Sequence, residues 1–172
     1  TRDEHLGAAV AGARAARAIA RWDAAWQLSS EALALAPDER DALFVHGLAA
    51  LALGSPGAAR RSLEAWLADA PQAPAHAEAL AALGDALRGL AEPDAACRRY
   101  EEALALDPAF EPAHAGQAAL LESAGRHAEA ASAFARWAAC TTAPAQQAER
   151  FVRAARLASP AQAAEAEDWL CA

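Results

Sequence analysis

Three prolines constrain this chain more than any other feature. Pro37, Pro71 and Pro108 each close a stretch that reads as helix: Ala32-Leu33-Ala34-Leu35-Ala36-Pro37, Trp66-Leu67-Ala68-Asp69-Ala70-Pro71 and Ala103-Leu104-Ala105-Leu106-Asp107-Pro108. The first two prolines lie 34 residues apart and the next gap is 37, so three residues are inserted, most simply in the loop Gln72-Ala73-Pro74-Ala75-His76. A period of this length means that one supersecondary unit is copied along the chain. Each copy then buries its apolar face against its neighbours.

Placing each proline at position 32 of a 34-residue frame puts the repeat starts at Leu6, Arg40, Ala77 and Glu111. Position 8 then holds Ala13, Gly47, Gly84 and Ala118, small residues suited to a tight helix crossing. Position 20 holds Ala25, Ala59, Ala96 and Ala130, while position 24 holds Ser29, Leu63, Tyr100 and Phe134. The turn inside each unit reads Ala20-Arg21-Trp22-Asp23, Gly54-Ser55-Pro56-Gly57, Ala91-Glu92-Pro93-Asp94 and Gly125-Arg126-His127-Ala128. Two of these put Pro in the first turn of the following helix, where its missing N–H costs least.

Composition agrees. Of 172 residues, 58 are Ala and 20 are Leu, against one Ile and three Val, so a sheet-based fold is close to excluded. An Ala-rich chain cannot fill a thick core, and its helices must approach closely. All fifteen basic residues are Arg, and Lys, Asn and Met are absent, which fits a GC-rich bacterial source and a piece of a longer chain without its initiator Met. The net charge is -8 and no segment is basic, which argues against nucleic acid as a ligand. No apolar run approaches the roughly 20 residues needed to cross a bilayer, so no membrane partner is expected. Three cysteines, Cys97, Cys140 and Cys171, form no close pair, and a reducing, cytoplasmic compartment is expected, or a periplasmic one had a leader been removed.

The columns resemble the tetratricopeptide repeat, with its W-x2-L-G-x2-Y, A-x3-F, A and P signature. The third unit carries it best, with Leu80, Leu83, Gly84, Leu87, Ala96, Tyr100, Ala103 and Pro108. The second supplies Leu43, Gly47, Ala59, Leu63 and Pro71; the fourth supplies Ala118, Leu121, Ala130 and Phe134; the first keeps Ala13, Ala25, Ala32 and Pro37. Thr142 stands where the fourth Pro would sit, and Trp66 and Trp137 occupy position 27, normally Ala, so packing there must widen. The resemblance implies an all-α, right-handed superhelical solenoid of antiparallel helix pairs, one domain over 1–172. Its repeats would span 6–39, 40–76, 77–110 and 111–143. Residues 144–172 read as two further helices, Pro144 to Leu157 and one begun by Ser159-Pro160, forming a cap or a degenerate fifth repeat.

Catalytic constellations are missing. The histidines His5, His46, His76, His114 and His127 fall in no H-E-x-x-H or zinc-finger spacing, and there is no phosphate-binding glycine loop and no G-x-S-x-G. Cys97 reads as a small packed hydrophobe and the carboxylate runs Glu101-Glu102 and Glu165/Glu167/Asp168 as solvated faces. A protein that is not an enzyme, without cofactor or metal, is therefore expected.

In the family, the first helix of each pair lines a concave groove, mainly at positions 2, 5, 9 and 12. By that resemblance the ligand-binding lining is Val10, Arg14 and Arg17 from the first repeat, and Asp41, Phe44, Leu48 and Leu51 from the second. The third would give Glu78, Asp85 and Arg88, and the fourth Ala115, Ala119 and Glu122. Some members hold a carboxylate with a Lys and Asn clamp; with neither residue here, Arg14 and Arg17 are the chemical substitutes. Phe44, Leu48 and Leu51 would form an exposed apolar patch in the groove. The expected function is binding of a protein or peptide. The alternatives are the substrate-recognition arm of a fused glycosyl-, sulfo- or hydroxylase-type enzyme, or a homo-oligomer assembled through end helices bearing Trp169 and Leu170.

Overall fold

A computed structural model describes residues 1–68 and 75–158, and the described residues form nine helices and no strand. The helices are α1 (Arg2–Ala18), α2 (Trp22–Leu35), α3 (Arg40–Ala52), α4 (Pro56–Ala68) and α5 (His76–Gly89), then α6 (Pro93–Leu106), α7 (Glu111–Ser123), α8 (His127–Ala139) and α9 (Pro144–Leu157). They divide into two compact units, Thr1–Glu92 and Pro93–Ala172. The division falls between the two helices of the third repeat.

In the first unit α1 packs on α2, α2 on α3, α3 on α4 and α4 on α5. The small columns are where the helices meet: Ala13, Ala25 and Ala59 have no exposed surface at all. Gly47 shows how close the approach is. A Cβ built on it would lie 2.7 Å from Leu63 Cγ, so α3 and α4 cross at a distance that leaves no room for a methyl group. Around α1, Ala13, Ala16, Ala25, Val45 and Ala49 make one cluster, sheltered by Trp22, Trp26 and Leu28. Burial at this density of small contacts replaces the few large side chains the composition lacks.

The second unit packs α6 on α7, α7 on α8 and α8 on α9. Its core holds Ala118, Leu121, Ala130, Ala133, Phe134 and Ala154, with Trp137 and Leu157 at the edge. Helix α9 has the bounds read from the sequence. Ala154 is buried and Val152 stands exposed, while Arg150 lies with its guanidinium 3.8 Å from the centre of the Trp137 ring. Trp137 in turn stacks on Phe134, 6.0 Å between ring centres. The second helix expected in the tail, with Ser159-Pro160, Trp169, Leu170 and Cys171, and most of the inserted loop lie outside the described residues.

All four turns inside the repeats share one backbone device. The residue at position 15 has positive φ: Ala20 (54°), Gly54 (72°), Ala91 (59°) and Gly125 (70°). Its N–H bonds back to the carbonyl three residues earlier, and the next N–H reaches five back. The latter bonds are Arg21 to Ala16, Ser55 to Ala50, Glu92 to Leu87 and Arg126 to Leu121. This is the Schellman closure, which satisfies the last carbonyls of the first helix. Two of the four left-handed seats are occupied by Ala, whose Cβ is disfavoured there.

Candidate functional site

Ten of the residues expected in a groove lie in the first unit. They sit on α1, α3 and α5, the first helices of successive repeats. Helix α1 supplies Arg14, exposed, and Arg17, half-buried; Val10 beside them packs on the small cluster of Ala9, Ala32 and Ala42. Helix α3 supplies Asp41, Phe44, Leu48 and Leu51, and α5 supplies Glu78, Asp85 and Arg88.

The charges are engaged with one another. Arg14 Nη1 donates to Asp41 Oδ2 at 3.1 Å, and Arg17 Nη2 donates to Glu78 Oε1 at 2.6 Å. Arg88 donates to Asp85 Oδ1 at 2.9 Å one turn away. The Arg17–Glu78 pair joins α1 to α5 and passes over α3, where the Arg17 guanidinium also lies 4.8 Å from the centre of the Phe44 ring. The two arginines expected to stand ready for an anion are therefore neutralised by carboxylates of the same face. Arg14 and Asp41 keep 66% and 54% of their side-chain surface exposed, so that pair is worth well under about 1 kcal/mol and is readily exchanged.

Phe44 departs from expectation. It retains only 7% of its surface, since the Trp66 ring of α4 packs against it at 5.0 Å. Trp66 is too large for its column, and the space it takes is the space above Phe44. Arg40 also lies over that indole, 4.9 Å from its centre. The apolar surface left on the face is that of Leu48 and Leu51, both half-buried.

The remaining expected residues are on α7 in the second unit. Ala115 is half-buried and Ala119 exposed, and Glu122 accepts from Arg153 of α9 at 2.7 Å. Arg150 ties α9 further, donating to Glu111 and Thr141.

His46, His114 and Cys97 are held in ring stacking or hydrogen bonds. His46 stacks on Trp26 with ring centres 4.0 Å apart, and its Nδ1 is 2.8 Å from Ser62 Oγ. Burial, and secondarily the positive Arg61, hold its imidazole below the ordinary histidine value, so it is neutral at pH 7. His114 is buried with Nε2 at 2.9 Å from the Pro108 carbonyl. Burial pushes the Cys97 thiol up, opposite to what a nucleophile requires. No group of three His, Cys, Asp or Glu residues among the described ones is placed to hold a metal ion. No described helix is long and apolar enough to cross a membrane.

No protein-family model matches this sequence, and no curated protein matches it. Solved structures do. MamA superposes with a TM-score of 0.75 at 20% identity, over 98% of this chain and 90% of that one. YrrB, described as a TPR protein with an unusual peptide-binding site, gives 0.69 at 20% identity over 92% and 79%. An O-GlcNAc transferase of Thermobaculum terrenum gives 0.65 at 24% identity, over 80% of this chain but only 26% of that one.

Proposed function

From the tetratricopeptide-repeat fold that this chain carries, we propose that it is a non-catalytic protein-interaction module whose ligand is a peptide or protein segment. The segment lies on the face shared by α1, α3 and α5. The observation that carries this reading is the make-up of that face: the apolar pair Leu48 and Leu51 beside exposed, exchangeable ion pairs such as Arg14–Asp41. An extended segment can bury its own side chains on the leucines and trade hydrogen bonds with the paired charges. The likeness to YrrB supports it, because that protein is described by a peptide-binding site.

The test is selection of peptides from a displayed random library against the full chain, followed by affinity measurement on Leu48→Gln/Leu51→Gln. Loss of about tenfold or more is expected, with thermal melting used to verify that the variant is folded. Selected peptides that bind the folded variant as well as wild type would place the ligand elsewhere.

A second reading makes the helices the recognition arm of a larger enzyme. It is supported by the transferase likeness, in which this chain spans only 26% of the other. The full open reading frame decides it: an adjoining transferase-type domain is expected, and its absence on both sides removes the reading.

A further inference from the structure

Position 21 of the frame lies on each second helix and meets position 7 of the next first helix in two described pairs, Trp26 with His46 and Cys97 with Gln117. Position 21 carries a different side chain in each of the four repeats: Trp26, Arg60, Cys97 and Ala131. In the first it is Trp26, whose ring stacks on His46 at position 7. In the second it is Arg60, which donates to Glu64 at 2.9 Å and to Glu92 at 2.8 Å. In the third it is Cys97, several atoms shorter, over Gln117 at position 7. There lies an open cleft of about 330 Å³, bounded also by Glu101, Leu121, Glu129 and Arg136.

The floor of this cleft is built. Gln117 is 3% exposed, and both ends of its amide are held: Arg136 Nη2 donates to its Oε1 at 3.3 Å, and its Nε2 donates to Cys97 Sγ at 3.8 Å. The thiol passes the chain of donors on to Glu101 Oε1 at 3.6 Å. The amide is thus held at both ends, at the frame position that His46 occupies against Trp26. Glu129 on the opposite wall is already occupied by Arg126, at 2.7 and 2.5 Å. Glu101, by contrast, has the weak thiol as its hydrogen-bonding partner, and a carboxylate so placed accepts strongly from an N–H.

We propose that this cleft is a second binding site, separate from the α1–α3–α5 face, and that it receives a tryptophan side chain of a partner protein. The indole lies flat on the Gln117 amide as Trp26 lies on His46, its N–H donates to Glu101, and Arg136 covers its edge. Size agrees: a cavity of about 150 Å³ suffices for benzene, and this one has room for a bicyclic ring. Aromatic knobs seated in preformed pockets are also the usual anchors of protein interfaces.

The experiment uses N-acetyl-tryptophanamide titrated into the full chain, with the Gln117 side-chain amide and the Ser132 backbone amide followed by NMR. Saturable shifts at both are expected, with a dissociation constant on the order of 1 mM for so small a probe. N-acetyl-phenylalaninamide, without the N–H, binds several-fold more weakly, and N-acetyl-leucinamide does not shift these signals. Cys97→Trp, which places in this cleft the side chain that the first repeat carries at the same position, abolishes binding. Should Cys97→Trp not fold, Glu101→Ala on the exposed rim serves instead and weakens binding several-fold. Absence of saturable shifts at Gln117, equal binding of the leucine probe, or undiminished binding by a folded Cys97→Trp or by Glu101→Ala would overturn the proposal.

Discussion

Two alanines sit where the backbone asks for glycine. Ala20 and Ala91 hold positive φ at the closing position of their helices, while Gly54 and Gly125 fill the same position without a Cβ. Removing that Cβ relieves about 1–2 kcal/mol of local strain and returns part of it as unfolded-state entropy. Ala20→Gly and Ala91→Gly are therefore each expected to stabilise the protein by about 0.5–1 kcal/mol, and Gly54→Ala to destabilise it by about 1 kcal/mol; urea midpoints measure both. His46 adds a pH dependence whose sign follows from its surroundings. Its folded-state pKa is lowered by burial and by Arg61, so the unfolded chain takes up the proton first. Stability is full above about pH 6.5 and falls as pH drops from there toward the lower native value. Urea melts at pH 7.5 and 5.5 are expected to differ less for His46→Gln than for wild type.

The helices were largely legible before their packing was known, and the reasons lie in particular columns. Ala25, Ala59, Ala96 and Ala130 recur because the crossing they occupy tolerates nothing larger, and each is fully buried. The bounds of α9 follow from Pro144 and an amphipathic run. What the sequence hid is contact between residues far apart in it. Arg17 and Glu78 are 61 positions apart, and Phe44 is covered by Trp66, a residue assigned to a column that belongs to Ala. The family frame assigns Phe44 to an exposed face because it assumes a small neighbour. Element by element, the closest crossing is the most sensitive one: Gly47→Ala pushes a methyl into Leu63 and is expected to cost about 1–3 kcal/mol, with Leu63→Val recovering part of it in a double-mutant cycle. Helix α9 hangs on Arg150, whose side chain keeps only 12% of its exposure beneath its partners. Arg150→Ala is expected to cost about 1–2 kcal/mol, read as faster amide exchange along α9.

Across the molecule, stability is spread through neighbour contacts instead of residing in one centre. In such arrays each repeat draws on the repeats beside it, and local openings need not become global. Exchange in Gly47→Ala is accordingly expected to accelerate in α2 to α5 and to stay unchanged in α8 and α9. Uniform acceleration over all described helices would mean a single cooperative unit instead. The interchange of Trp26, Arg60 and Cys97 at one frame position has a consequence for how such chains acquire partners. The same frame position recurs in every copy, so under the proposal above a single substitution at position 21 opens or closes a site. An array of this kind carries as many latent addresses as it has junctions, and recognition can migrate along it one junction at a time.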